Sequence, residues 1–147
     1  MTDPDTPAPL VGRILETSLY VADLDRSCLF YGRVFGFRVL MRDERMCAMA
    51  VPDRQVLLLF RIDRSIRASD SPAGLIPGHG AHGTQHLCFS IGHEDLPRWT
   101  RHLESRGVAI ETRLDWPQGA SSLYFRDPDG HSVEVGTSGL WANDPLP

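Results

Sequence analysis

The stretch Tyr124-Phe125-Arg126-Asp127-Pro128-Asp129-Gly130-His131-Ser132-Val133-Glu134-Val135-Gly136 decides how this chain is read. Asp-Pro-Asp-Gly is turn chemistry, because Pro presets φ and Gly accepts the positive φ that closes a tight turn. Apolar residues alternate on both sides, which predicts a β-hairpin. In its second arm Val133 and Val135 share one face, and Ser132 and Glu134 share the other. Glu134 is therefore either a solvated surface carboxylate or part of a polar cavity.

Working outward, the same periodicities recur. Leu15 to Val21 alternates as a strand. Asp23 then caps a helix whose apolar stripe is Leu24, Cys28, Tyr31 and Phe35, and Gly36 ends it. Phe37 to Met41, Met46 to Val51 and Val56 to Ile62 read as three short strands. A Ser-, Pro-, Gly- and His-rich segment follows, long enough to be a lid or a linker. Next comes a strand over Gln85 to Ile91, and a helix striped by Leu96, Trp99 and Leu103 that Gly107 terminates. Val108 to Arg113, Ser121 to Arg126 and His131 to Val135 complete the pattern. Strand-helix-strand-strand-strand thus occurs twice, and paired units of this size bury each other's open faces. The implied organisation is a disordered tail over 1–12, a first βαβββ module over 13–62 and a connecting loop over 63–82. A second module over 83–137 and a C-terminal tail over 138–147 follow.

Composition narrows the function classes. The formal charge of −4 and the lack of a basic run argue against nucleic acid as a partner. The cluster Arg61, Arg64 and Arg67 contains Asp63 and reads as a solvated loop. No apolar run approaches the roughly 20 residues of a membrane span. The first nine residues lack the basic-then-apolar order of a signal peptide. Cys28, Cys47 and Cys88 are odd in number and widely spaced, which implies a reduced, cytoplasmic protein with each thiol a small core residue.

Alternation gives each strand a polar face: Glu16, Ser18 and Tyr20 on the first, and His86, Cys88 and Ser90 on the fifth. Ser122, Tyr124 and Arg126 share a face on the seventh, as do Ser132 and Glu134 on the eighth. If these faces line one concavity, Glu16, His86 and Glu134 converge, and one imidazole with two carboxylates suits a divalent ion. Singly, each has a plain structural reading. A strand His is usually a hydrogen-bonded scaffold residue, and a strand Glu is usually solvated. The repeat favours the site, because Glu16 and His86 hold matching places in the two copies. The counterpart of Glu134 in copy one is Leu58, with Leu57 or Leu59 within one residue of slack.

The run from Glu16 through Asp23-Leu-Asp25-Arg-Ser27 to Phe30-Tyr31 and Phe35-Gly36 resembles the opening of the vicinal oxygen chelate superfamily. Gly83-Thr-Gln-His86-Leu-Cys-Phe and the Asp127-Pro-Asp-Gly130 hairpin with Glu134 resemble its second half. That group includes glyoxalase I, extradiol dioxygenases, fosfomycin-resistance enzymes and bleomycin-resistance proteins. The resemblance spans about Ile14 to Trp141. It implies an α+β fold in which two βαβββ modules form a cup-shaped mixed sheet with helices on the outer face. It implies metal ligands on the first and last strand of each module, here Glu16, His86 and Glu134, with Leu58 in the fourth place. Glu16 stands where many members have His or Gln, and Leu58 where glyoxalase I has a further Glu. The implied cofactor is a divalent Fe, Mn, Zn or Ni ion, and Glu134 and Glu16 become the catalytic carboxylates. Tyr20, Leu58, Phe60, Ser122, Tyr124 and Arg126 become candidate substrate contacts. A small molecule with neighbouring oxygens is the expected partner, and a homodimer the expected assembly. The competing expectation is a metal-free, ligand-sequestering protein of the bleomycin-resistance type. His79 and His82 lie among glycines and read as surface residues or as a lid. Trp116 reads as a pocket cover or turn anchor, and Trp141 as a packing anchor.

Overall fold

The computed structural model describes residues 7–147. The tail expected over 1–12 lies partly outside them, and residues 7–15 carry no helix or strand. Strand β1 (Glu16–Val21) leads into α1 (Leu24–Phe35), followed by β2 (Val39–Arg42), β3 (Met46–Val51) and β4 (Gln55–Arg61). A short hairpin, β5 (Ser69–Ser71) and β6 (Gly74–Ile76), sits in the connecting segment. The second module runs β7 (His86–Ile91), α2 (Leu96–Ser105), β8 (Ile110–Asp115), β9 (Ser121–Arg126) and β10 (Ser132–Thr137). The connecting segment is therefore more than a loop. Ser71-Pro-Ala-Gly74 supplies its turn, with the Ser71 hydroxyl donating to the Gly74 carbonyl at 2.7 Å.

The α+β class and the two βαβββ modules are as the sequence predicts, and each module keeps its own four-stranded mixed sheet. Their orders are β1-β4-β3-β2 and β7-β10-β9-β8. Both place the first and last strands of a module side by side in parallel, Glu16 opposite Val56 and His86 opposite Ser132. Two residues further along lie Leu58 and Glu134. The register thus settles Leu58 as the counterpart of Glu134, and Leu57 and Leu59 are fully buried on the opposite face.

Local chemistry sets the helices. The Asp23 carboxylate accepts from the Arg26 N–H at 3.1 Å, and Gly36 ends α1 at φ 72°. The apolar faces of both sheets and both helices merge into one core around Tyr31, Phe125, Leu57 and Val135. Phe35 of α1 lies 5.4 Å from Trp99 of α2 and 4.6 Å from Phe89 of β7.

The Asp127–Gly130 turn closes β9 to β10 and also clasps the first module. The Gly130 N–H donates to the Asp127 carbonyl at 3.0 Å, and Gly130 sits at φ 81°. Across the module boundary, the Tyr31 hydroxyl donates to Asp127 Oδ2 at 2.9 Å. Asp129 accepts from the Ala22 N–H and the Ser27 hydroxyl. His131 is buried, with Nδ1 accepting from the Gln85 N–H and Nε2 donating to the Tyr20 carbonyl at 2.8 Å. Burial and the Asp127 carboxylate push the Tyr31 hydroxyl's pKa far up, so it stays a donor.

Two smaller expectations change. The Trp141 side chain is 70% exposed rather than packed, whereas Leu146 lies beside Gly119 and Gly139. Cys47 is buried as expected, but Cys88 is exposed, because the polar face of β7 lies outside the shared core.

Tyr31→Phe keeps the packing but leaves a buried carboxylate oxygen without its donor. It should cost about 1–3 kcal/mol, read in urea unfolding as a lower midpoint at an unchanged slope. A variant as stable as the parent would mean that the clasp carries no weight.

Candidate metal and substrate site

On the open face of the second sheet, β7 and β10 bring His86 and Glu134 together, Nε2 to Oε2 at 3.3 Å. His86 Nδ1 lies 2.9 Å from the Ser132 carbonyl. A carbonyl only accepts, so Nδ1 carries the proton and donates. Nε2 is then left facing a carboxylate oxygen. Two lone pairs at that distance repel unless a cation lies between them, and a proton or a metal ion serves equally.

Glu134 is only 3% exposed, and its Oε1 has no hydrogen-bond partner. An unpartnered buried carboxylate oxygen costs stability unless a ligand or ion uses it. The space in front of it exists because residue 136 is glycine. A Cβ there would lie 3.2 Å from Cys88 Sγ and 3.4 Å from Glu134 Oε1. The donor set and this cradle fit a divalent ion, and His86 and Glu134 would hold it. Tyr124 flanks the pair, its ring stacked 6.1 Å from His86. Burial, and then the Glu134 carboxylate, raise the Tyr124 hydroxyl's pKa.

The structure does not bring Glu16 to this pair. Glu16 is exposed on the first sheet, and no three His, Cys, Asp or Glu side chains converge among the described residues. The reason lies in the core. Both modules turn their apolar faces towards the shared helices, so both polar faces look away from that core.

The other candidates divide in the same way. Tyr20, Leu58 and Phe60 line the open face of the first sheet with Met46 and Ala48, and Tyr20 stacks 5.8 Å from Phe60. His79 covers part of that face, with Nδ1 2.6 Å from the Tyr20 hydroxyl and its ring 4.5 Å from Phe60. His82 pairs with Asp63 on the surface. Ser122 is fully buried and accepts from the Trp116 indole N–H at 3.0 Å, so Trp116 anchors a turn. The Arg126 guanidinium is held by both Glu111 oxygens and the Gly130 carbonyl. Sequence reasoning passed over Cys88 and Gly136 as site residues. Alternation had put Cys88 on the His86 face, and that was the available signal.

Paired βαβββ modules, with an imidazole–carboxylate pair on the open face of the second sheet, define the class of fold. The family model described as the Glyoxalase/Bleomycin resistance protein/Dioxygenase superfamily matches residues 13–135, and the chain belongs to that superfamily. The metallothiol transferase FosB of Bacillus licheniformis is 30% identical over 82% of this chain and 72% of its own length. The glutathione transferase FosA of Serratia marcescens is 29% identical over 85% and 80%. Among solved structures, a lactoylglutathione lyase from Agrobacterium tumefaciens superposes with a TM-score of 0.82 at 37% identity, covering 90% and 98% of the two chains.

Although Cys88 lies on the exposed face of β7, its sulfur sits against Gly136 and Glu134, and the loss of water around the thiol there, then the Glu134 carboxylate, push it up to about 12. In metal-free protein Cys88 should therefore react with iodoacetamide near pH 8 at below roughly one-hundredth of a free cysteine's rate. Because the pKa is raised, reactivity should climb only towards strongly alkaline pH, and Glu134→Gln should speed it. Rates measured against pH, with the labelled residue identified by peptide mapping, check this.

Proposed function

We propose that this chain is a divalent-metal-dependent enzyme acting on a small molecule with neighbouring oxygens, and that it works as a homodimer. The observation that carries the reading is the His86–Glu134 pair, with its tautomer set by Ser132 and with Glu134 Oε1 buried and unpartnered. Glu16 from a second copy is the third donor. Laying the open face of one chain's first sheet against the second sheet of another buries both faces and joins the donors. It also places Leu58, Phe60 and Tyr20 as an apolar wall over the metal.

When bound, the ion would polarise the substrate's vicinal oxygens and stabilise developing negative charge on them. The chain's own residues do the rest. The Ser132 carbonyl holds the His86 ring in place. The Tyr124 hydroxyl, kept protonated beside Glu134, donates a hydrogen bond to an anionic substrate oxygen. The apolar wall excludes water. Leu58 leaves no carboxylate at the fourth place to shuttle a proton between carbons. That favours addition of an external thiol to the oxygen-bearing substrate, and the FosB and FosA relatives are named as a metallothiol transferase and a glutathione transferase. The lyase likeness supports a second reading, isomerisation with Glu16 or Glu134 as the base.

Metal analysis of protein purified without added metal should find close to one divalent ion per chain. His86→Ala should abolish uptake on titration, and uptake should weaken as pH falls, because a proton competes for Nε2. No uptake by the parent protein would leave the ligand-sequestering alternative in its place. Mixing Glu16→Ala with His86→Ala tests the shared site. Each inactive alone, together they should restore roughly a quarter of the parent's sites, since half the dimers are mixed and each carries one intact site. No recovery on subunit exchange would mean that Glu16 acts within its own chain or not at all.

A further inference from the structure

Folding builds a second candidate site on the helix side, away from both open sheet faces. Helices α1 and α2 meet along a groove of about 950 Å³, whose walls include Arg33, Arg98, Trp99, Arg101, His102 and Arg106. No basic run exists in the sequence. The groove assembles its charge from two places: the last turn of α1, and α2 positions 98, 101 and 102 with Arg106 just beyond. Spacing of three and four residues puts the α2 side chains on one face.

The counter-charge is small. Asp95 is the acidic residue in the groove wall, and Arg98 already pairs with it at 2.8 Å. Arg33 stands at the C-terminus of α1, where a helix dipole favours a cation. Arg101 and Arg106 have no ion pair or side-chain hydrogen bond among the described residues, although the chain as a whole carries a net charge of −4. Like charges lining one groove repel one another, weakly where they are exposed, and an anion between them relieves that repulsion.

The floor is organised as well. His102 Nε2 donates to the Val34 carbonyl at 2.8 Å, which ties the helices and sets the width of the groove. The Trp99 indole is half-buried, held edge-on by His102 at 5.6 Å and tilted on Phe35.

We propose that this groove binds a small polyanion carrying a flat ring, of the class of a nucleoside diphosphate. Arg101, Arg106 and Arg33 take its phosphates and Trp99 faces its ring. Guanidinium groups bind phosphate through paired N–H donors, and the cavity falls in the size range of small-ligand sites. No step of the metal site depends on it.

The test is titration of the full-length chain with ADP, pyrophosphate and adenosine, followed by tryptophan fluorescence and by calorimetry. ADP should bind saturably with a fluorescence change that Trp99→Phe removes, and pyrophosphate should compete with it. Adenosine should bind at least about tenfold more weakly. The double variant R101A/R106A should weaken ADP about tenfold or more, and added salt should act in the same direction. These arginines are exposed, so the variant's melting temperature and metal uptake should match the parent's. ADP binding that survives the double variant, or no heat and no fluorescence change at millimolar ADP, overturns the proposal.

Discussion

The clasp between the Asp127–Gly130 turn and the first module is the constraint on which the rest of the structure depends. One four-residue turn closes a hairpin, accepts a buried hydroxyl from Tyr31 and binds the start of α1 through Asp129. His131, next in sequence, joins β1 to the residue before β7. Together these bonds set the two modules helix side to helix side, and the aromatic contacts of Phe35 fill the seam. The chemistry follows from that orientation. Once the apolar faces are shared within one chain, the polar faces have no partner in the same chain.

That arrangement explains how Glu134 is deeply buried while Glu16 is exposed, although both lie on polar faces. Glu134 is on an inner strand, walled by Cys88, Tyr124 and the Trp116–Ser122 pair. Glu16 begins an edge strand. In the proposed site the His86–Glu134 pair would be half of a coordination sphere, with the imidazole oriented by Ser132 and one carboxylate oxygen unpartnered. Under the proposed dimer, the donors of the expected cup would come from two chains.

Much of this was legible in the sequence. Period-two alternation placed His86 and Glu134 on a common face, and the repeat made Leu58 the odd member. The parallel register places Leu58 two residues past the Glu16 pair, as it places Glu134 two residues past the His86 pair. The clasp was not legible, because Asp127 and Asp129 read as turn residues whatever they touch. Nor could alternation tell that the Arg126 guanidinium would be taken by Glu111, or that Ser122 would lie beneath Trp116. Faces are local properties, whereas the partners across them are tertiary. The basic groove escaped for the same reason, since its arginines come from two helices separated by a whole module.

The most direct measurement is anomalous diffraction from crystals of the full chain soaked in manganese. One peak is expected at about 2 Å from His86 Nε2 and a Glu134 carboxylate oxygen, with the third protein ligand being Glu16 from a second copy. A peak coordinated by Glu16 and His86 of the same chain, or no peak at His86, would contradict it.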